Sequence, residues 1–292
     1  MVAARRSRRQ RFVGLAAAAS IAVVAFGVWM GRSVLTPAPA ITVASIGHVA
    51  GDVEIAGSWG RTHAAQDNQP LLSGERLITG SNGRVALAMA NGISVRVDHD
   101  TQIEFADAHR ASMKSGGVYV DSPGVPTADR RLRIETPVGA VEHFGTQYEA
   151  RFAPPSLRVR VREGRVALTP TQGILQSGMA GEQLTMGANG EVNRLKINTH
   201  GDEWEWISDL APTLDIDGRP LGEFLQWASR ELGQPVVFAT AESEAEASKV
   251  VLSGSVSGLS PKDALIAVLS TTRLRSSVHD GRIVISLDPR AR

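Results

Sequence analysis

Cysteine is missing from all 292 residues. Disulfides, thiolate nucleophiles and zinc–thiolate sites are therefore excluded, and an oxidising compartment is permitted without being indicated. Common catalytic signatures are missing as well: there is no Gly-x-Ser-x-Gly elbow, no Walker loop and no dinucleotide fingerprint. Seven histidines (48, 63, 99, 109, 143, 200 and 279) are scattered, and none has a partner four residues away with which to hold a metal from one face of a helix. Asp98-His99-Asp100 comes nearest to a metal cluster, but consecutive strand residues point to opposite faces. At most the two aspartates converge there, and the following Thr101 favours a turn. Carboxylate pairs for glycoside hydrolysis leave no mark in a sequence, because their spacing is spatial. Nothing points to an enzyme, a metal or a cofactor.

Excess positive charge is also missing from the body of the chain. Six arginines (Arg5, Arg6, Arg8, Arg9, Arg11, Arg32) and no acid lie in residues 1–32, which leaves 25 of the 31 basic residues against all 30 acidic ones beyond. A general nucleic-acid binder would carry its Lys and Arg excess on the folded part, so that class is disfavoured.

Phe12 to Gly31 is the one long uncharged run, 20 residues. As a helix it would be about 30 Å long, the thickness of a bilayer's hydrocarbon core. Five arginines precede it and Arg32 follows it, which predicts a single inner-membrane span with a cytoplasmic N-terminus and the bulk of the chain periplasmic. A cleaved signal peptide is the competing reading, supported by Ala38-Pro39-Ala40 and by Ser7-Arg8-Arg9. Signal cores run roughly 7 to 15 residues, so the uncleaved anchor is preferred. Residues 1–11 are then a basic tail, 12–31 the span and 32–40 a stiff, proline-containing spacer.

From residue 41 the pattern changes to short alternating runs. Ile41/Val43, Val53/Ile55, Val85/Leu87/Met89, Ile93/Val95/Val97, Ile103/Phe105, Val118/Val120, Leu132/Ile134, Tyr148/Ala150/Phe152 and Leu157/Val159/Val161 each bury one face of a strand. Gly and Pro punctuate them, and Asn91-Gly92 between two such runs predicts a hairpin. No helical period interrupts them, so residues 41–197 read as an all-β domain with short strands.

Three sub-motifs in this region, Thr136-Pro137-x-Gly139, Gly145-Thr146-x-Tyr148 and Glu163-Gly164-x-Val166, resemble the core of the FecR domain, the periplasmic part of bacterial transmembrane signal transducers. The resemblance extends over about residues 41–197, through Gly47 to Val53, Leu77-x-Thr79-Gly80, Asn91-Gly92-x-x-Val95 and Ser177-Gly178-x-x-Gly181-Glu182. It implies a twisted β-solenoid or sandwich-like domain in a signalling protein linked to sigma-factor regulation. Regulators of this kind carry a cytoplasmic anti-sigma domain before the span, whereas Met1 to Arg11 are too few to bury a core. A sigma factor is accordingly expected as a partner only if the N-terminus is incomplete. Some FecR-type proteins are thought to cut their own chain at the Gly-Thr of the motif, here Gly145-Thr146, when the threonine hydroxyl attacks the preceding carbonyl. A strand-opening turn with a structural threonine is the preferred alternative.

Residues 198–210 read as a polar linker holding Trp204 and Trp206. Beyond it, 211–288 reads as β-α-β-β-α-β: strands at Leu214–Ile216, Val236–Phe238, Val250–Leu252 and around Val256, one helix opened by Pro220 and closed by Gly233, another capped by Ser260, and a final hairpin across Asp280-Gly281. This order resembles the STN module of secretins and TonB-dependent transducers, on Leu214 to Leu225 and Gly258 to Leu269. The fold class expected is thus mainly β plus α+β behind a transmembrane helix. The leading functional reading is a non-enzymatic periplasmic interaction protein that receives a signal from an outer-membrane TonB-dependent transducer by strand addition to an open sheet edge. Trp204 and Trp206 are the expected contact surface, with interdomain packing as the alternative. The runner-up is an envelope-glycan-binding or glycan-processing β-solenoid that meets its anionic ligand through Arg158, Arg160 and Arg162, although a solvated face neutralised by nearby acids explains those arginines more simply.

Overall fold

The structure is a computed structural model that describes residues 41–57, 60–124, 127 and 129–289. The predicted tail 1–11, span 12–31 and spacer 32–40 lie outside the described residues. Among the described residues, no helix is long and apolar enough to cross a membrane.

Fifteen strands make one connected sheet: β1 (Thr42–Ala50), β2 (Val53–Ala56), β3 (Thr62–Ala64), β4 (Pro70–Leu72), β5 (Arg76–Thr79), β6 (Arg84–Met89), β7 (Ser94–Val97), β8 (Gln102–Asp107), β9 (Arg110–Asp121), β10 (Arg133–Thr136), β11 (Gly139–Ala153), β12 (Ser156–Pro170), β13 (Gln176–Met179), β14 (Glu182–Met186) and β15 (Val192–Lys196). The main path runs β15-β14-β12-β11-β10-β9-β7-β6-β1-β4, and β2, β3, β5, β8 and β13 branch from it. Its pairings are antiparallel except that of β9 with β10. The alternating apolar residues bury as period two requires: Val43 on β1 through Met186 on β14 share one core. Residues so far apart on the path meet only if the sheet curls around them.

Three long strands form the spine, each serving different neighbours along its length. β9 pairs β8 and β10 through Arg110–Ser115, then β7 and β11 through Gly116–Asp121. β11 passes from β10 to β9, and β12 pairs β14 over Leu157–Val161 and β13 over Arg165–Leu168. The change of partner on β9 falls at Gly116, where φ is +90° and an added Cβ would overlap Thr101. On β11 and β12 it falls at Gly145 and Gly164, with φ of +60° and +75°, conformations that a Cβ disfavours. The expected hairpin at Asn91-Gly92 joins β6 to β7.

The region after β15 departs from the expected order. Residues 202–208 are not a linker but a 3₁₀ turn (Asp202–Trp204) running into a short helix, α1 (Glu205–Ser208). There follow α2 (Leu221–Leu232), β16 (Val236–Phe238), α3 (Ala241–Ala247), α4 (Pro261–Ser270), β17 (Leu274–His279) and β18 (Arg282–Leu287), the strands forming a three-stranded sheet ordered β16-β18-β17. The order is α-β-α-α-β-β, so β-α-β-β-α-β is corrected. The segments read as strands at Leu214–Ile216 and Val250–Leu252 do not enter the sheet. Val250–Leu252 instead bonds to the residues that lead into α2, Gly218 N to Leu252 O at 2.9 Å and Leu252 N to Arg219 O at 2.8 Å, with one bridge between Pro220 and Val251. Pro220 has no N–H to extend a ladder. Ile216, Leu252 and Val256 instead plug the module's core. The unexpected helix α3 carries a capping box between Thr240 and Ser243.

The bend in β9 generates a test. Gly116→Ala should lose clearly more than about 1 kcal/mol in urea denaturation. Gly74→Ala, with φ of +79° but open space around it, should lose only the conformational part.

Candidate functional site

The motif residues lie where β11 and β12 bulge against each other. Thr136 and Gly139 face each other across the β10–β11 turn, with Thr136 Oγ1 donating to Gly139 O at 2.8 Å. Pro137 lies within that turn, and Tyr148 and Val166 are core residues. Gly145-Thr146 opposes Glu163-Gly164. A Cβ on Gly164 would lie 2.5 Å from Gly145 O and 3.0 Å from Thr146 Oγ1, so only glycine allows the two strands to close here. The Thr146 hydroxyl is fully buried. It donates to Arg165 O at 2.7 Å and accepts from Phe144 N and Arg165 N, both at 3.2 Å. Its proton faces a backbone carbonyl rather than a base, and its lone pairs are occupied.

Register places two polar rows on the face of the sheet opposite the core. One runs Arg96, Tyr119, Glu149, Arg160, Gln183 across β7, β9, β11, β12 and β14. The other runs Asp121, Gln147, Glu163 across β9, β11 and β12. Period two accounts for this on β9 and β11; on β12, Arg160 and Glu163 are three apart, and the register shift at the bulge sets Glu163 opposite Gln147.

There Arg230 spans the second row. Its Nε donates to Asp121 Oδ1 at 3.0 Å, its Nη2 also reaches that oxygen, and its Nη1 donates to Glu163 Oε2 at 2.9 Å. Gln147 Nε2 donates to Asp121 Oδ2 at 3.1 Å and to the Arg230 carbonyl at 3.3 Å. The neighbouring Glu231 pairs with Arg96 at 2.8 Å, and neither is exposed by more than 4% of its side chain. Arg96 Nη1 also donates to Ile207 O at 2.9 Å, and its guanidinium lies over the Tyr119 ring at 5.3 Å. Burial raises the Glu231 carboxyl, with Arg96 opposing it in part. Trp204 completes the joint. It is 2% exposed, edge-on to Tyr119 at 6.3 Å, and has Arg162 over its face at 5.2 Å.

Several expectations change here. Trp204 is an internal packing residue rather than part of an open contact surface. Trp206 is half-buried, with the Arg84 guanidinium 6.0 Å from its ring. The three arginines of β12 are not a free anion-binding face. Arg158 and Arg160 approach Glu149 at 3.5 and 3.7 Å, Arg160 also reaches Glu203 at 3.3 Å, and Arg162 is 5% exposed with Nε bound to Thr199 O at 2.8 Å. Asp98 is a structural anion at the head of a turn, as its sequence suggested. Burial would raise its carboxyl, but hydrogen bonds from Arg84 and Arg151 more than offset this and hold it below the usual carboxylate range. Asp100 adopts the positive φ of the turn. Among the described residues, no group of three or more His, Asp or Glu is placed to hold a metal. The sequence reading missed Arg96, Asp121, Gln147, Arg230 and Glu231. Their only linear signal is an arginine on an otherwise apolar strand.

The family model of the FecR protein matches residues 75–167, the stretch that contains both bulge strands and all three sub-motifs. Residues 75–167 are a FecR domain. No curated protein matches the chain. Two crystal structures of a candidate anti-sigma factor from Parabacteroides distasonis align at 14% and 15% identity, covering 72% and 73% of this chain and 97% and 98% of theirs, with TM-scores of 0.39 and 0.38. A cell surface anchoring domain aligns over 22% of this chain and 86% of its own at 25% identity, with a TM-score of 0.22. Scores this low mark loose likenesses only.

Two outcomes follow for the FecR domain and its joint. Glu231→Ala leaves Arg96 buried without its partner and should destabilise the chain by about 3–5 kcal/mol, with Glu231→Gln milder, as read by urea melts. His143 is fully buried and accepts a hydrogen bond from Leu132 N at 3.0 Å through Nε2, so the ring is neutral. Burial first, and Arg131 second, push it down to about 4 from its ordinary 6.5. A folded value below the unfolded one gives stability that is complete above pH 6.5 and lost as pH falls toward 4. The gap corresponds to about 3 kcal/mol. The difference in stability between pH 7 and pH 4.5 should therefore be smaller in His143→Gln than in the parent.

Proposed function

We propose that the chain is the receiving part of a FecR-type transmembrane signalling system that acts in sigma-factor regulation, a non-enzymatic interaction protein held at the inner membrane by residues 12–31 with its folded part in the periplasm. The FecR domain carries this reading, and the charge pattern around residues 12–31 supplies the orientation. The partner we assign is the signalling module of an outer-membrane TonB-dependent transducer.

The edge best suited to that partner is β17. Among the described strands its only neighbour is β18, and beyond the buried Leu274 it is polar apart from Val278, which is 60% exposed. Beside it a cleft of about 660 Å³ runs between the 198–210 segment and α4, lined by Leu265, Ile266 and Val278, with Lys262 and His200 among its polar walls. An added strand would find backbone partners on β17 and apolar recesses for alternate side chains. The paired arginines of β12 weaken the glycan reading, because their charges are already answered by Glu149 and Glu203. The buried, fully bonded Thr146 hydroxyl supports a structural role for Gly145-Thr146. A denaturing gel of fresh cells should then show one full-length species, whereas two fragments meeting at residue 145, lost in Thr146→Ala, would establish self-cleavage.

The docking reading is tested by immobilising the full chain and offering the transducer's N-terminal module. Proline placed in turn at Ser276, Ser277 and Val278 should abolish capture wherever the replaced N–H faces outward, with the fold retained. Retention on peptidoglycan or lipopolysaccharide without capture of the module would establish the glycan-binding alternative instead.

A further inference from the structure

The charged joint and the Gly145–Thr146 bulge are built from neighbouring atoms. Gln147, which touches the Arg230 carbonyl, directly follows Thr146 on β11. Glu163, which takes Arg230 Nη1, directly precedes Gly164 on β12, the glycine pressed against Gly145 O. Asp121 on β9, held by the same guanidinium, pairs with Gln147 across the sheet. One residue of the C-terminal module, through its guanidinium on β9 and β12 and its backbone carbonyl on β11, thus grips all three spine strands at the point where β11 and β12 leave regular pairing. Bulged strands have lost ladder hydrogen bonds and are the part of a sheet most dependent on outside support.

The chemistry of the joint also suits reversal. An interface of apolar side chains pays for every square ångström exposed, whereas buried ions that separate regain their hydration, which offsets much of the lost attraction. Arg96, Glu231, Asp121 and Arg230 are such ions, and the apolar contribution is one small cluster of Tyr119, Trp204 and Ile207. The module can leave the sheet without baring a large apolar surface at this point.

We propose that the C-terminal module is a releasable clamp on the FecR bulge. While Arg230 and Glu231 are docked, residues 144–147 and 163–165 are held in one conformation. When the module is drawn away, those residues loosen while the core of the sheet stays closed. Coupling of this kind is reciprocal, so disturbing the bulge loosens the end of α2. The inference does not depend on which partner moves the module.

Hydrogen exchange followed by mass spectrometry on the full chain tests it. Arg230→Ala should speed exchange in 144–147 and 163–165 by roughly fivefold or more, with β1 and β6 unchanged. Gln147→Ala, which spares the helix itself, should speed exchange in the last turn of α2. The clamp is overturned if Arg230→Ala loosens α2 while the bulge keeps its parental rate. It is equally overturned if the bulge changes only together with an equal rise in β1 and β6, which would mark general destabilisation, or if Gln147→Ala leaves α2 unaltered.

Discussion

Arg96 and Glu231 stand 135 positions apart and meet with no water between them. A sheet built from alternating residues must put something on its second face, and here the central strands put arginines, acids and a tyrosine there. Those groups lie under protein, so each needs a partner from the covering layer. α2 supplies two of them side by side at its end, and the 198–210 segment supplies a carbonyl and an indole. The position of the C-terminal module is therefore dictated by charge matching on the sheet. Its own core is a separate cluster of leucines, valines and aromatics.

The FecR motif gains a physical meaning from this arrangement. Its glycines allow β11 and β12 to approach and then change neighbours, its threonine ties the bulge to Arg165, and its glutamate reaches outward to Arg230. In the fold the motif is the place where a long two-stranded ribbon is bent and then anchored. Tyr148 and Val166, on the opposite face, hold the same ribbon to the core.

Much of the β region was legible because period two is written in each strand and each turn carries its own marker. Asp280 and Gly281 both adopt positive φ in their hairpin, and Gly92 alone does so in the turn after Asn91. The joint was not legible. Arg96 looks like any outward residue of a half-exposed strand, and nothing local connects it with a glutamate at the end of a distant helix. Trp204 was misplaced for the same reason, because an aromatic in a polar stretch reads alike whether it meets a partner or its own sheet. In the C-terminal module, short β-branched runs at Val250–Leu252 and near Val256 have strand propensity, yet neighbouring prolines and core demand turn them into plugs. α3 was concealed by its shortness and its weakly apolar face.

The three spine strands also govern the order in which the molecule assembles. β7 and β9 are made early but satisfy their second face only after β11, β12 and finally α2 exist, so Arg96 on β7 and Asp121 on β9 stay hydrated until residues 230 and 231 have been made. Contacts between such distant positions form late and slowly. The seam between the two parts consequently cannot close until α2 is made, and a chain halted after β15 but before residue 230 would carry every strand of the sheet's core beside an unsealed, charged flank.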